Sequence, residues 1–221
     1  MSADAPASIE VFQDLTLWLD GRAQTEVRDA LVAQAALPWR HAPEREAAIS
    51  SGTETEFIAF EREASGDSPK VGLVLWKDPD SFRVTNIVPV DIGELNYQQY
   101  NAALRQFSDQ TVAPVAARLG LRLDISNDRQ SLTDWMSQGT ADLLVRFSRL
   151  ANKSTGSSHP MDRDRWLAFV IAAHKEQSKA GDTLKRWLIE VEHWPAEAAW
   201  DLVIEYEFGL ELLQKYDQHL D

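Results

Sequence analysis

The sequence contains no cysteine, which removes several kinds of chemistry at once. Without a thiol, the chain cannot form disulfides, use a cysteine nucleophile, or hold zinc or an iron–sulfur cluster through sulfur. No apolar run approaches the ~20 residues that a membrane-spanning helix needs. The N-terminus also lacks the basic and then apolar regions of a signal peptide. We therefore expect a cytoplasmic protein that does not contact a membrane.

Diagnostic catalytic and cofactor motifs are missing as well. None of the histidines stands in a His-x-x-x-His or His-Glu-x-x-His pair, so no metal site is predicted and no cofactor is expected. The sequence alone therefore does not determine the function. It does rank the places where a function could reside.

Basic residues are scarce: 22 lysines and arginines stand against 35 aspartates and glutamates, a net charge of −13. Because an acidic surface repels phosphate, nucleic-acid binding is not expected. The charge is unevenly distributed. Five basic and two acidic residues lie between Arg146 and Arg165, whereas nine acidic residues and one lysine lie between Ile189 and Asp221. Either these segments face one another within the fold, or charged surfaces meet a partner.

The first part of the chain changes from helical to extended patterns. After a flexible leader at residues 1–8, Ser8 is predicted to cap a helix over 9–19, and a second helix is predicted over 25–36. Residues 40–53 are polar and predict a loop. Three strands joined by short turns then predict an antiparallel meander. They cover residues 56–61, 71–76 and 82–90, and the apolar second strand is expected in the centre.

A helix should follow the strands, because Asn96 and Gln99 have the spacing of a capping box. Pro114 should kink or split this helix near Thr111, and the helix should end at Leu119–Gly120. A fourth strand is predicted over 121–125. Residues 9–126 therefore predict an α+β domain in which N-terminal helices accompany a small, mainly antiparallel sheet of three to four strands.

Residues 127–221 predict an all-helical half, either a second domain or an extension packed on the first. Helices are expected over 140–151 and 162–178, from Gly181, and from Pro195 to Tyr216. The last of these is apolar over most of its circumference, with acidic side chains between the apolar ones. We therefore expect it to be buried against the rest of the chain or against another chain.

The polar stretch between two of these helices, residues 152–166, is the first candidate site. It is neither a phosphate-binding loop nor a penicillin-binding motif, because the accompanying residues of both motifs are absent. Its hydroxyls, backbone amides and cations could still hold a phosphate or a carboxylate. The candidate anion ligands are Lys153, Ser154, Thr155, Arg163 and Arg165. The alternative is a simple interhelical loop whose arginines pair with the acidic C-terminal segment.

Two histidines and two carboxylates are further candidates. His159 and His174 could form an acid–base pair if the fold brings them together, since imidazole titrates near neutral pH. His174 alone is more simply a core histidine. Glu207 and Glu211 lie on one stripe of the last helix and could contact a partner. A solvated face, or pairing with the basic segment, is the simpler interpretation.

Eight tryptophans are a high number for 221 residues. Trp39 and Trp194 stand beside prolines at the ends of elements and are predicted to be surface anchors for a partner. Trp166, Trp187 and Trp200 occur at helical spacing and are predicted to be core residues.

Three functions follow from these features. The favoured one is a regulatory interaction protein, such as an adaptor, an inhibitor or an antitoxin-like protein, that binds a partner protein, in particular a basic one. The alternative is an enzyme acting on a phosphorylated or nucleotide substrate through the two histidines and two arginines. Nucleic-acid binding through the basic segment ranks last, and homo-oligomerisation stays open.

Overall fold

A computed structural model of the chain describes residues 7–50, 56–66, 68–91, 93–177 and 181–219. The chain divides into two compact units. We call Val11–Asp128 the sheet unit, and the described residues of Met1–Glu10 and Arg129–Asp221 the helical unit. The predicted α+β class and the helical C-terminal half are confirmed.

Strands and helices are interspersed in the first part of the chain, whereas helices dominate the part after residue 130. The strands are β1 (Ile9–Glu10), β2 (Leu15–Trp18), β3 (Trp39–His41), β4 (Phe57–Arg62), β5 (Val71–Asp78), β6 (Ser81–Pro89), β7 (Leu123–Ile125) and β8 (Arg129–Gln130). The helices are α1 (Gln24–Gln34), α2 (Pro43–Ser50), α3 (Tyr97–Phe107), α4 (Ala113–Leu119), α5 (Gln138–Leu150), α6 (Pro160–Lys175), α7 (Gly181–Glu190) and α8 (Ala196–Gln218). None of the helices in the described ranges is long and apolar enough to cross a membrane.

The sheet unit is built on six antiparallel strands in the order β3-β4-β5-β6-β2-β7. The predicted meander of β4, β5 and β6 is confirmed, but the predicted total of three to four strands is too small. Strands β2 and β7 extend the sheet beyond β6, and β3 extends it beyond β4. Apolar side chains from one face of the sheet share a buried core with residues of α1, α3 and α4.

The prediction of a helix over residues 9–19 is wrong, because this segment forms β1 and β2. Leu15, Leu17 and Leu19 alternate with less buried neighbours, and all three side chains lie in the core of the sheet unit. Alternation with a period of two places every second side chain on one face of a strand. This short alternating run was hidden by apolar residues nearby that also fit helical spacing.

The predicted loop over residues 40–53 is also wrong where the structure describes it. Trp39–His41 pairs with β4 as an edge strand, and Pro43 begins α2 at a first-turn position. Ala42, beside α2, packs with Phe57 and Ala59 on the second face of the sheet. Residues 51–55, at the end of the predicted loop, lie outside the described residues.

Helix α3 begins as predicted, with Asn96 and Gln99 forming the capping box. The predicted interruption before Pro114 is a π-helical turn over Ser108–Val112. Gly120 then ends α4 in the left-handed conformation, at a φ of 70°. The spacing of the capping residue, the proline and the glycine therefore predicted where these helices begin, change and end.

The helical unit packs around a chain of aromatic rings. Phe147 of α5 contacts Trp166 of α6, which contacts Phe169, and Phe169 stacks on Tyr206 of α8 at 5.6 Å between ring centroids.

Strand β1 belongs to this unit because it pairs with β8. Of the predicted leader, residues 1–6 lie outside the described residues, and the Ser8 hydroxyl accepts a hydrogen bond from Arg129.

A buried carboxylate organises one edge of the sheet unit. The side chain of Glu61 is 5% exposed and accepts contacts from Lys70 at 2.8 Å, Arg40 at 2.9 Å and Arg45 at 3.4 Å. Burial alone would raise the pKa of Glu61. The Lys70 hydrogen bond and the three positive charges outweigh that effect, so the pKa is lowered.

We predict that Glu61→Gln lowers the free energy of unfolding by about 1–3 kcal/mol at pH 7, because Lys70, Arg40 and Arg45 lose the negative charge that they share. Since the folded-state pKa is lowered, the contribution of Glu61 is present above the unfolded value near 4.5 and is lost as the pH falls below it. Denaturant titrations of both proteins between pH 7 and pH 3 would show the difference shrinking. Glu63→Gln is the control, because Glu63 shares Lys70 and Arg40 but is 54% exposed. Equal effects of the two substitutions would contradict the prediction.

Candidate functional site

The central polar stretch connects α5 to α6 as a compact turn around Asn152. The Asn152 side-chain oxygen accepts hydrogen bonds from the amide and the hydroxyl of Ser154, at 3.0 and 2.8 Å. The Asn152 carbonyl accepts bonds from the amides of Thr155 and Gly156, both at 3.0 Å. The Ser154 and Thr155 hydroxyls and the Gly156 amide therefore close the turn on Asn152, whereas the Ser157 hydroxyl donates to Glu205 at 2.6 Å.

The three candidate cations also contact groups within the helical unit. Lys153 donates to the Glu192 carbonyl and lies 5.9 Å from the centre of the Trp194 ring. Arg165 pairs with the buried Asp162 at 2.5 Å, and Arg163 lies 3.9 Å from Glu205. Anion binding at this stretch stays a prediction. In that prediction, an incoming anion would have to compete with these partners.

The histidines stand at opposite ends of one helix. His159 is the N-cap of α6 and His174 lies in its last turn. Fifteen residues at 1.5 Å per residue separate them by about 22 Å along the axis. Acid–base partners must reach the same substrate, so the predicted pairing of these two histidines is incompatible with α6. His174 instead contacts Asp217 of α8, at 2.7 Å.

The two tryptophans predicted as surface anchors are buried. Trp39 is fully buried in the sheet unit, where its ring meets Phe107 edge-on at 5.0 Å. Trp194 is 3% exposed, stacks on Phe147 and donates a hydrogen bond to Ser148 at 2.7 Å. A proline neighbour marks the end of an element but does not determine whether the adjacent ring faces water. The prediction that Trp39 and Trp194 are surface anchors is therefore wrong.

Trp200, predicted to be a core residue, is instead 49% exposed and begins an apolar row on α8. Large apolar side chains recur along this row at every fourth residue, and all are about half exposed or more. They are Trp200, Ile204, Phe208, Leu212 and Tyr216. The opposite face of α8 is buried through Leu202, Val203 and Tyr206. The helix is therefore apolar on two faces. One face is buried, whereas the other is about half exposed or more, with the Lys185 ammonium of α7 lying 4.3 Å from the centre of the Trp200 ring.

Helices α6 and α8 run parallel, side by side. Arg163 approaches Glu205, Val170 lies against Gly209, and His174 contacts Asp217, so the residue numbers rise together along the contact. A β-carbon added to Gly209 would lie 2.8 Å from a methyl carbon of Val170. The absence of a side chain at position 209 therefore permits this close approach.

The parallel direction places a second apolar row beside the first. Leu167 and Ile171 of α6 are 42% and 45% exposed. In α6, Ile171 comes one position after Val170 and Leu167 lies one turn before Ile171, whereas Phe208 comes one position before Gly209 in α8. In two parallel helices, positions just after the contact on one and just before it on the other lie on the same side of the pair. We call the five α8 residues together with Leu167 and Ile171 the apolar ridge.

Carboxylates border the apolar ridge along α8. One position after ridge side chains come Asp201, Glu205 and Asp217, and one position before them come Glu207 and Glu211. Glu207 and Glu211, the predicted partner-binding residues, are exposed. Glu211 pairs with Lys215 at 2.7 Å, and this hydrogen bond and positive charge lower the pKa of Glu211. The ridge is thus an apolar surface within a negatively charged border.

Sequence reasoning missed most of the ridge although its signal was present. The spacing of four was legible in the sequence, but that spacing also describes a core-facing stripe. Deciding which of two apolar faces is covered required the positions of α6 and α7. Elsewhere, the described residues contain no group of three histidine, aspartate or glutamate side chains that could hold a metal ion.

We predict that Gly209→Ala lowers the free energy of unfolding by about 1–3 kcal/mol, because the new methyl group would overlap with Val170. We expect this loss of stability even though alanine is about 1 kcal/mol more favourable than glycine within a helix. In a Val170→Ala background the overlap is relieved, and Gly209→Ala should be neutral or stabilising. Chemical denaturation of the four proteins in this double-mutant cycle measures the coupling. Stabilisation of similar size in both backgrounds would mean that the helices do not approach closely here.

We further predict that Trp194→Phe and Trp200→Phe differ in stability. Trp194→Phe leaves the buried Ser148 hydroxyl without its donor and should cost about 1–3 kcal/mol. Trp200→Phe changes an exposed side chain and should stay within about 0.5 kcal/mol of the parent protein. Urea titrations followed by circular dichroism compare them. A larger loss for Trp200→Phe than for Trp194→Phe would reverse the burial assignments.

Comparisons with known proteins give no family for this chain. No family model, no curated protein and no solved structure matches it. Only the geometry of its own residues therefore bears on its function, and the apolar ridge is the most distinctive exposed feature of the described residues.

Proposed function

We propose that this chain is a cytoplasmic interaction protein that binds a partner protein through the apolar ridge. The observation that carries the proposal is the row from Trp200 to Tyr216, whose large apolar side chains are 49–66% exposed. A contiguous apolar surface bordered by polar residues is typical of a protein–protein contact. Binding a partner would remove these side chains from water.

The composition of the ridge supports the same proposal. Trp200, Phe208 and Tyr216 are aromatic, and aromatic residues are frequent among the side chains that dominate binding energy. Exposed carboxylates next to the ridge add an electrostatic attraction for a basic partner and would accelerate association. A regulator such as an adaptor, an inhibitor or an antitoxin-like protein would use such a surface.

One observation favours the enzymatic alternative, because His159 and Arg165 line a cavity together with Asn152, Thr155 and Ser158. The alternative named His159 or His174 as the acid–base group and placed both in one pocket, but α6 holds them about 22 Å apart. The arginines proposed to bind an anion already contact Asp162 and Glu205. Binding through the ridge uses exposed side chains and does not require these internal contacts to break.

We expect native mass spectrometry of the untagged protein, taken gently from its own cells, to show a stoichiometric protein partner. The double variant Phe208→Ser/Leu212→Ser should lose this partner, because it removes the two central apolar side chains of the α8 row. Leu150→Ser is the matched control, since Leu150 is 56% exposed but lies on α5, outside the ridge. Circular dichroism should show that all three proteins are folded.

The association rate gives a second readout. If the carboxylates steer a basic partner, the rate should fall steeply between about 50 and 300 mM salt, where screening is stronger. A partner retained by the double variant, or lost equally from the Leu150→Ser protein, would contradict binding through the ridge.

A further inference from the structure

The backbone of the apolar ridge restricts what can bind there. The ridge is formed by two α-helices, α6 and α8, whose backbone amides and carbonyls are already hydrogen-bonded within each helix. An extended peptide lying on this surface would bury its own backbone groups without partners, which is costly. A helix satisfies these groups internally and can present one apolar face to a groove. The surface is therefore suited to a helix.

The dimensions of the ridge define the length of that helix. From Trp200 to Tyr216, sixteen residues at 1.5 Å each give about 24 Å. The row on α6 runs beside this line through Leu167 and Ile171, and Gly209 lies where the two helices meet. A third helix of about four turns could place apolar side chains between the two rows, in the manner of a helical bundle.

The charge of α8 selects the chemistry of that helix. Between Ala196 and Gln218, six carboxylates stand against one lysine. They are Glu197, Asp201, Glu205, Glu207, Glu211 and Asp217. A second copy of this chain would bring two such faces together, and like charges at short range oppose that contact. Lysine or arginine side chains on either side of an apolar stripe would instead pair with the carboxylates.

We infer that the occupant of the apolar ridge is a basic amphipathic helix of a partner protein. This inference rests on the proposed function and adds the chemical class of the bound segment. The apolar stripe of the partner contacts the two rows of α6 and α8. Its basic side chains face exposed carboxylates, with Asp201 on one side and Glu207 and Glu211 on the other.

The test uses two synthetic peptides of about 18 residues with a fluorescent label, long enough for the four turns that the ridge accommodates. Both carry leucines at helical spacing of three and four. Their remaining positions are mainly lysine and arginine in one peptide and mainly glutamate in the other. Fluorescence anisotropy with the full chain at about 50 mM salt should show the basic peptide binding at least about tenfold more tightly than the acidic one. Raising the salt to about 300 mM should weaken the basic peptide severalfold.

Substitutions locate this binding. Phe208→Ser/Leu212→Ser should weaken the basic peptide at least about tenfold, whereas Leu150→Ser should leave its affinity unchanged. Glu207→Gln/Glu211→Gln should weaken it severalfold. Its control is Glu26→Gln/Glu44→Gln, which removes two exposed carboxylates of the sheet unit and should weaken binding less. Similar effects of the two charge pairs would overturn the inference, because attraction would then come from net charge alone.

The remaining outcomes separate this inference from the proposed function. Equal affinity for the acidic and basic peptides overturns the inference. If a native partner is lost on changing Phe208 and Leu212 but the basic peptide does not compete with it, the inference fails and the proposed function stands. Sedimentation velocity showing a homodimer that dissociates in the same variant would identify a second copy as the occupant and overturn the inference.

Discussion

The closeness of α6 and α8 is the constraint on which the helical unit depends. Gly209 permits that closeness, since even a methyl group at this position would meet Val170. The contact extends along both helices, from Arg163 and Glu205 to His174 and Asp217. It aligns two short rows of apolar side chains that would otherwise be separate exposed residues. The surface that we propose for binding is thus a product of helix packing and not of either helix alone.

Charge within the chain is largely used in local contacts, which changes the meaning of the basic stretch. Lys153, Arg163 and Arg165 contact a carbonyl and two carboxylates of the helical unit. In the sheet unit, Glu61 is held by three cations in the same way. A run of like charge in a sequence therefore says little about binding until its internal partners are known. On α8 six carboxylates stand against one lysine, and three of the six, Glu205, Glu211 and Asp217, contact Arg163, Lys215 and His174.

Sequence patterns predicted the parts of this fold that depend on local chemistry. The capping box at Asn96, the irregular turn before Pro114 and the left-handed Gly120 all follow from neighbouring residues. The helix predicted over the segment of β2 is wrong because only three buried leucines alternate there, and a helix tolerates part of that pattern. Tertiary partners decided the remaining features. Trp194 is buried by Phe147 and Ser148, whereas Trp200 stays exposed, and no local signal separates the two.

The pairing of β1 with β8 makes the helical unit discontinuous in sequence, with the whole sheet unit inserted between its first strand and the rest. The inserted segment begins and ends at one place, since the Val11 amide donates to the Asp128 carbonyl at 2.9 Å. Closing a loop has an entropy cost that depends on the length of chain between its ends. A folded insert with adjacent termini thus replaces a long flexible connection by a short fixed one. During synthesis, the first strand of the helical unit therefore emerges well before β8, the strand with which it pairs.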